Sequence, residues 1–207
     1  ACGPLGKAPG DWPSHVHLTG FLFPPTPGTN DVAATLRAFV EAVDARPLVY
    51  MGFGSMPAPD PIELLRLAID TCAEAACRAV VIAGWSELTE SEACRELIAA
   101  ANGTLLVVAA APHGWLFPKC AAVVHHCGVG TMAAALHAGV PQVPCAVMLD
   151  QPHNARLCVR LGVAPEALSF DRHLTAGRLA RPLKAILREG PDGPLHKAAR
   201  RAAEHVA

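Results

Sequence analysis

The sequence predicts an α/β fold in which helices cover both faces of a parallel, doubly wound sheet. Short apolar runs of strand length alternate along the chain with helical patterns of roughly ten residues, which is typical of βαβ crossovers. Glycine-rich or polar clusters follow directly after these apolar runs. Ligands of such a sheet bind beyond the carboxyl ends of its strands, so the clusters predict a binding site along one edge. With 207 residues, 52% of them hydrophobic, the chain is long enough for one well-packed domain.

Residues 1–28 differ in composition from the rest of the chain. They are rich in proline and glycine, and only residues 15–21 have a strand-like composition. Such a stretch is typical of a linker that ends against a domain. We therefore expect an interdomain linker over residues 1–28 and a single ligand-binding domain over residues 29–207. The chain also lacks an initiator Met, as expected for a piece of a longer polypeptide.

The order of elements follows from the apolar patterns and the helix caps. The expected strands lie at residues 48–53, 79–83, 104–110, 121–125 and 142–147. The expected helices begin near residues 31, 60, 89, 131 and 152, with two or three more after Leu174. Asp60 followed by Pro61 predicts a helix that starts there and runs to about Cys77. Thr89 and Glu92 match a capping box, and the helix they open is expected to end at Asn102.

Charge and apolar content exclude several classes of partner. The formal net charge is −1, which gives no basic surface for nucleic acid or for an anionic membrane. No apolar run reaches the roughly 18 residues that a membrane span requires, and no signal peptide is visible. The eight cysteines show no close CxxC pairs, which favours a reduced compartment. We expect a cytoplasmic protein, with peripheral membrane contact left open for the full-length protein.

The strongest sign of a binding site is the segment from His125 to Thr131. Gly128 and Gly130 would let the backbone approach a ligand closely, and the amides of residues 128–131 at the following helix start would favour negative charge. His126 can donate a hydrogen bond to a phosphate oxygen and stabilise the charge on a departing nucleotide diphosphate. The alternative is an ordinary glycine turn beside a core histidine. The position of His126 directly before the glycines favours a phosphate site.

Two other chemistries are less well matched to the sequence. His125, His126 and Cys127 suggest zinc, but consecutive residues at a strand end point in different directions and no spaced second pair of ligands follows. Ser55 suggests the nucleophile of a hydrolase, but glycine is absent two positions after it. Neither a metal site nor a serine nucleophile is therefore expected.

Four motifs, including the segment from His125 to Thr131, occur in a fixed order along the chain. They are Pro112-His113-Gly114-Trp115-Leu116-Phe117, His125 through Thr131, Ala138-Gly139-Val140-Pro141 and Asp150-Gln151-Pro152. This ordered set resembles the nucleotide-sugar signature of family 1 glycosyltransferases, two-domain enzymes of GT-B type. It is most similar to the signature of UDP-glucose:sterol glucosyltransferases, and the stretches from Tyr50 to Met56 and from His15 to Phe21 also resemble that family.

The resemblance implies a Rossmann-like C-terminal domain of a GT-B fold, with residues 29–207 as the domain that binds the nucleotide sugar. It also implies a role for individual residues. The diphosphate would contact His126, Gly128, Val129, Gly130, Thr131 and Ser55; the base and ribose would contact Trp85, Ala111 and His113; the sugar hydroxyls would bond to Asp150 and Gln151. Trp115, Leu116 and Phe117 are expected to anchor a helix instead.

The activity that the resemblance implies is inverting transfer of glucose from UDP-glucose, as donor substrate, to a hydroxyl of a sterol or other lipophilic acceptor. No cofactor and no essential metal are expected. The catalytic histidine of this family lies in an N-terminal domain outside this chain, which also binds the acceptor, so none of the ten histidines is assigned as the base. We expect donor binding without turnover. The alternatives are a non-catalytic nucleotide-sugar-binding subunit or sensor, and an epimerase-like enzyme acting on UDP-sugars.

Three departures from the sterol-type pattern leave the acceptor and the sugar open. Cys127 stands where that pattern has Gly, although plant members have Cys there. The family's Val-Pro-Phe-Phe before Asp-Gln is replaced by residues 145–148, Cys-Ala-Val-Met, with the proline displaced to Pro144. His153 and Asn154 replace the usual Phe-Trp.

Overall fold

The computed structural model describes residues 10–17, 19–53, 60–84, 88–171 and 173–206. Within these ranges the strands are β1 (Leu48–Gly52), β2 (Arg78–Ile82), β3 (Leu105–Val108), β4 (Ala122–His125), β5 (Gln142–Ala146) and β6 (Leu168–Ser169). The α-helices are α1 (Ala34–Glu41), α2 (Pro61–Ala75), α3 (Glu92–Ala100), α4 (His113–Leu116), α5 (Val129–His137), α6 (Gln151–Arg160), α7 (Ala176–Glu189) and α8 (Pro194–Ala203).

The strands form a single six-stranded sheet in the order β3-β2-β1-β4-β5-β6. Every neighbouring pair is parallel, so the predicted doubly wound parallel sheet is confirmed. The chain changes direction across the sheet between β1 and β4. In their register Gly52 pairs with His125, so these two strands end side by side. Ligands of such sheets bind in the crevice beyond this switch point.

Both faces of the sheet are covered, and β1 shows how. Val49 and Met51 belong to the apolar cluster shared with α2 and α7. Leu48 and Tyr50 point to the opposite face and belong to the cluster shared with α1 and α4. Successive side chains of a strand alternate between the faces, and a sheet covered on both sides needs apolar residues at every position. The continuous apolar runs seen in the sequence have this cause.

The helix caps correct two details of the predicted boundaries. The Asp60 side chain accepts a 2.8 Å hydrogen bond from the Ile62 N–H, as expected for the start of α2. That helix ends at Ala75, so Cys77 lies beyond it. The prediction of Thr89 as the cap of α3 was wrong. Ser91 adopts extended dihedral angles and accepts a 3.1 Å hydrogen bond from the Cys94 N–H.

Two features near the binding edge also differ from expectation. Helix α5 begins at Val129, two residues earlier than predicted, because Gly128 provides the N-cap conformation. The short strand β6 was not predicted, since two residues carry no periodic pattern.

The N-terminal segment was expected to have strand-like composition only at residues 15–21. Residues 15–17 and 19–21 contain no strand. The division at residue 28 stays a prediction.

The described residues include seven of the eight cysteines and all the helices given above. Their seven cysteines are free and buried: Cys72, Cys77, Cys94, Cys120, Cys127, Cys145 and Cys158. None of the helices described combines the length and the apolar character required to cross a bilayer.

Candidate functional site

His125, the last residue of β4, is fully buried and supports the backbone that follows it. Its Nδ1 accepts a 3.1 Å hydrogen bond from the Cys127 N–H. Its Nε2 lies 2.8 Å from Oε1 of Gln142 on β5. Because Nδ1 accepts, the ring proton lies on Nε2, which donates to Gln142. Burial lowers the pKa of His125 to about 3, so the ring is neutral at physiological pH and both nitrogens are occupied.

Cys127 lies in the bend between β4 and α5 and has a positive φ. Its φ of 67° lies in the left-handed region, which disfavours residues with a Cβ. The side chain is fully buried, and the carbonyl oxygen accepts a 3.0 Å hydrogen bond from Nδ2 of Asn154 on α6. The hydrogen bonds to His125 and Asn154 therefore hold a conformation that glycine would adopt without strain. This accounts for glycine at this position in the sterol-type pattern.

His126 follows β4 at the start of this bend and has one ring nitrogen without a described partner. Its Nδ1 is buried and has no hydrogen-bond partner among the described residues. The ring packs directly against Gly128, where an added Cβ would lie 3.1 Å from Cε1 and still closer to Nε2. Burial lowers the pKa of His126, whereas the Gly52 carbonyl and the Asp150 carboxylate oppose that shift. A buried polar atom without a partner is unusual and is suited to a ligand.

The N-terminus of α5 opens beside His126. The first hydrogen bond of the helix runs from the Met132 N–H to the Gly128 carbonyl, at 3.0 Å, so the amides of residues 129–131 have no partner within the helix. No side chain caps this end. Val129 is 52% exposed, and a Cβ added at Gly130 would meet nothing within 4 Å. The bend is therefore open, with free amides and a helix dipole that favour an anion.

Asp150 and Gln151 lie at the start of α6, across from this bend. Oε1 of Gln151 accepts hydrogen bonds from the N–H groups of Val147 and Met148, at 2.8 and 3.1 Å. Since two amides point at that atom, the side-chain oxygen is committed to the loop, and only the NH₂ group remains for a ligand. Asp150 is exposed. The predicted role of Gln151 towards a sugar is thereby restricted to that of a donor.

Asn154 joins the bend to the Asp150 loop and was not identified from the sequence as a site residue. Its Nδ2 donates to the Cys127 carbonyl and, at 2.8 Å, to Oδ2 of Asp150. The side chain is buried, and both amide protons are used. The spacing of four residues from Asp150 on one helix was the available signal. Gln142, a fully buried polar residue within a strand, was also missed.

His113 is positioned by two aromatic residues. Its ring stacks on Phe117 with 4.4 Å between centroids. Its Nε2 lies 3.2 Å from the Tyr50 hydroxyl on β1. Burial lowers the pKa of His113 and raises that of Tyr50. The sequence did not indicate Tyr50 as a partner. Trp115, Leu116 and Phe117 are buried in the core, which agrees with an anchoring role.

A cavity of about 920 Å³ brings some of the predicted site residues together. Its walls include Ala111, His113, Gly130 and Thr131. The predicted base wall and the phosphate bend therefore share one space of a size typical for small-molecule sites. The lining does not include His126, Asp150 or Gln151. Ser55 and Trp85 lie outside the described residues, so their predicted roles stay predictions.

The described ranges contain no candidate metal site. No group of three or more His, Cys, Asp or Glu side chains there is arranged to hold a metal ion. Of the residues that suggested zinc, His125 has both ring nitrogens engaged, and Cys127 has a buried thiol whose pKa burial raises. Neither His125 nor Cys127 is poised to bind a metal.

Comparison with known protein families identifies the domain. Residues 86–207, more than half of the chain, match the family described as the C-terminal domain of erythromycin biosynthesis protein CIII-like proteins. The chain belongs to this family. The resemblance to the C-terminal domain of a GT-B glycosyltransferase is thereby confirmed.

Curated relatives of this family member are named sterol 3-beta-glucosyltransferases. The protein of Leptosphaeria maculans is 35% identical over 157 residues, which cover 75% of this chain and 11% of the relative. UGT80A2 of Arabidopsis thaliana is 30% identical over 167 residues, covering 81% of this chain and 25% of the relative. The chain thus spans a quarter or less of the length of either relative.

Solved structures of glycosyltransferases share the fold. Os79 from O. sativa in complex with UDP superimposes with a TM-score of 0.70 and 17% identity, covering 84% of this chain and 39% of Os79. The glycosyltransferase of kitacinnamycin gives a TM-score of 0.64 with 20% identity, covering 80% of this chain and 40% of that protein. At these identities the likeness establishes the GT-B type fold of the domain.

Proposed function

We propose that this chain is the donor-binding part of a glycosyltransferase that moves glucose from UDP-glucose to a hydroxyl of a sterol or another lipophilic acceptor. Transfer proceeds with inversion and without a metal or other cofactor. The names of the curated relatives support glucose and a sterol-like acceptor. The UDP found in Os79 supports the uridine nucleotide. Because the chain spans only part of its relatives, we assign acceptor binding and the catalytic base to residues outside it.

The observation that carries this proposal is the pairing of His126 with the open end of α5. An imidazole with an unpartnered Nδ1 lies beside free amides at residues 129–131. Amides at a helix start bind phosphate oxygens, and a neighbouring imidazole can add a further hydrogen bond or a positive charge. Nothing else among the described residues occupies this position, since the bend is exposed at Val129 and Gly130.

The reaction places its developing charge at this bend. The bond between the anomeric carbon and the β-phosphate oxygen breaks, and its electron pair leaves with the diphosphate. The free amides of α5 and His126 stabilise that negative charge. The acceptor oxygen attacks from the opposite side of the sugar ring and gives its proton to a base outside this chain, so the anomeric centre inverts. Asp150 accepts, and the Gln151 NH₂ donates, hydrogen bonds to the sugar hydroxyls.

Calorimetric titration with three nucleotide sugars tests the donor assignment. UDP-glucose, TDP-glucose and GDP-mannose are titrated into the 207-residue chain and into the His126→Ala variant. We expect preference for UDP-glucose and at least roughly tenfold weaker binding in the variant, as for loss of one charge-assisted hydrogen bond. His205→Ala, which changes an exposed histidine near the C-terminus, is the matched control and should bind as wild type. Equal or absent binding of all three donors would contradict the proposal.

A further inference from the structure

The cavity beside α5 has one wall that the predicted site does not include. Residues 21–27, here called the proline segment, all line it. The other lining residues include 111–114 and, on α5, Gly130, Thr131 and His137. The proline segment therefore shares one space with the predicted base wall, although the sequence suggested only a linker over residues 22–27.

Two contacts fix the proline segment on the domain. The Phe23 ring stacks on His137 at the end of α5, with 4.3 Å between centroids and 18° between planes. Thr26 lies against Gly114 of α4, where an added Cβ would come within 2.8 Å of the Thr26 Oγ1. Pro24 and Pro25 lie between these contacts and restrict the backbone to a narrow range of φ. The segment is thus held at both ends by α4 and α5 and is stiff in the middle.

The composition of the cavity distinguishes which part of a nucleotide sugar it would accept. Apart from Thr26, the residues of the proline segment are all apolar, and none of the described residues that line the cavity is Asp, Glu, Lys or Arg. Mostly apolar walls with a few polar groups are typical of sites for uncharged, flat ligand parts. The free amides of α5 lie at one end of the same space, at Gly130 and Thr131. A ligand with a charged end and an aromatic end would match this arrangement.

We propose that the proline segment is part of the donor site and contacts the base and ribose of the nucleotide. This inference rests on the proposed function and adds to it a wall outside the recognised signature. Leu22 is the most informative position, because it lines the cavity and yet remains 93% exposed. Bound nucleoside would cover that apolar side chain, and truncating it leaves the packing of the domain unchanged.

Titration of UDP and of inorganic pyrophosphate into the 207-residue chain tests this wall. Leu22→Ala should weaken UDP binding by roughly three- to tenfold and leave pyrophosphate binding unchanged, because only the nucleoside contact is lost. Phe23→Ala, which removes the stack on His137, should show the same selective loss. Val16→Ala truncates an exposed apolar residue of the same region outside the cavity and is the matched control.

The outcomes separate this inference from the function on which it rests. UDP binding at wild-type strength in both variants would overturn the role of the proline segment and leave the donor assignment intact. If both variants weaken the binding of UDP and of pyrophosphate equally, the proposed role is also overturned, since the segment would then affect the phosphate bend and not the nucleoside. Failure of the wild-type chain to bind UDP would overturn both.

Discussion

Nδ2 of Asn154 donates a 3.0 Å hydrogen bond to the carbonyl oxygen of Cys127, 27 residues earlier in the chain. The same amide group holds the carboxylate of Asp150. One side chain on α6 thus fixes both the bend at the predicted phosphate site and the residue predicted to bind the sugar. The two halves of the site are mechanically linked, and this link can be broken by a single substitution.

Asn154→Ala should lower both stability and donor affinity. The change leaves the Cys127 carbonyl without its partner, and an unsatisfied buried group costs about 1–3 kcal/mol. We expect a corresponding fall in the free energy of unfolding measured with urea, and weaker UDP-glucose binding because Asp150 is no longer held. Arg156→Ala, an exposed change on the same helix, should alter neither quantity. Wild-type stability in Asn154→Ala would contradict the proposed link.

Gly128→Ala tests whether Gly128 leaves room for the His126 ring. Gly130→Ala tests whether the ligand approaches the backbone at residue 130. A methyl group at 128 would collide with the His126 ring, so we expect lower stability and weaker UDP binding. A methyl group at 130 meets only open space, and alanine favours a helix more than glycine does by up to about 1 kcal/mol. Stability of Gly130→Ala should therefore be unchanged or higher, while UDP affinity falls because the methyl blocks close approach. Unchanged UDP binding in Gly130→Ala would count against a phosphate at this backbone.

Stability should fall as the pH drops from about 6.5 towards 4, because buried imidazoles resist protonation. The pKa of His125 falls from 6.5 to about 3, and burial also lowers the pKa values of His113, His126 and His196. In this window the unfolded chain binds more protons than the folded chain, so the stability present above pH 6.5 is progressively lost. The fully buried His125 contributes a slope of up to about 1.4 kcal/mol per pH unit, and the partly exposed rings contribute less because solvent screens them.

Urea unfolding at pH 7.5, 6.0 and 5.0 measures this slope. The pKa of Asp44, lowered to about 2 by its hydrogen bonds with Arg46, affects stability only at lower pH. His125→Gln should be less stable at pH 7.5 yet show a shallower decline between pH 6 and 5. An identical slope in the variant and the wild type would show that His125 is not the titrating group.

Leu149 provides a test of backbone strain beside the site. It has a φ of 57° and is 87% exposed, so its conformation lies in the left-handed region without compensating burial. Leu149→Gly should be more stable than Leu149→Ala by about 0.5–1 kcal/mol, because glycine adopts this conformation without a Cβ penalty. The same pair of changes at Val43, which is exposed and has no positive φ, should give the opposite order. If the glycine and alanine variants have the same order of stability at both positions, Leu149 is not strained.

Local patterns were sufficient for most of the fold. Five of the six strands and most of the helices follow from apolar runs and cap residues, since these reflect burial and hydrogen bonding within a few neighbours, whereas the four-residue α4 was not among the expected helices. The choice of Ser91 over Thr89 as cap did not follow, because both residue types suit a cap, and only the backbone shows that Ser91 has the extended cap dihedral angles. The two-residue strand β6 could not be predicted, because it is too short to show a repeating pattern.

The candidate site was predictable only in part for a related reason. The bend from His126 to Thr131 carries its chemistry in consecutive residues, so sequence motifs reveal it. The residues that support it come from separate elements: Gln142 on β5, Asn154 on α6 and Tyr50 on β1. Only the packed sheet brings such side chains together. The same holds for the proline segment, which composition marked as a linker and which packs on α4 and α5.

Amide chemical shifts in the ¹⁵N-labelled chain test the central claim, that the open end of α5 receives the diphosphate, most directly. We expect UDP to shift the amide signals of Val129, Gly130 and Thr131 strongly, and inorganic pyrophosphate to shift the same three signals. Unmoved signals at residues 129–131 under saturating UDP, with changes confined to other parts of the domain, would contradict it.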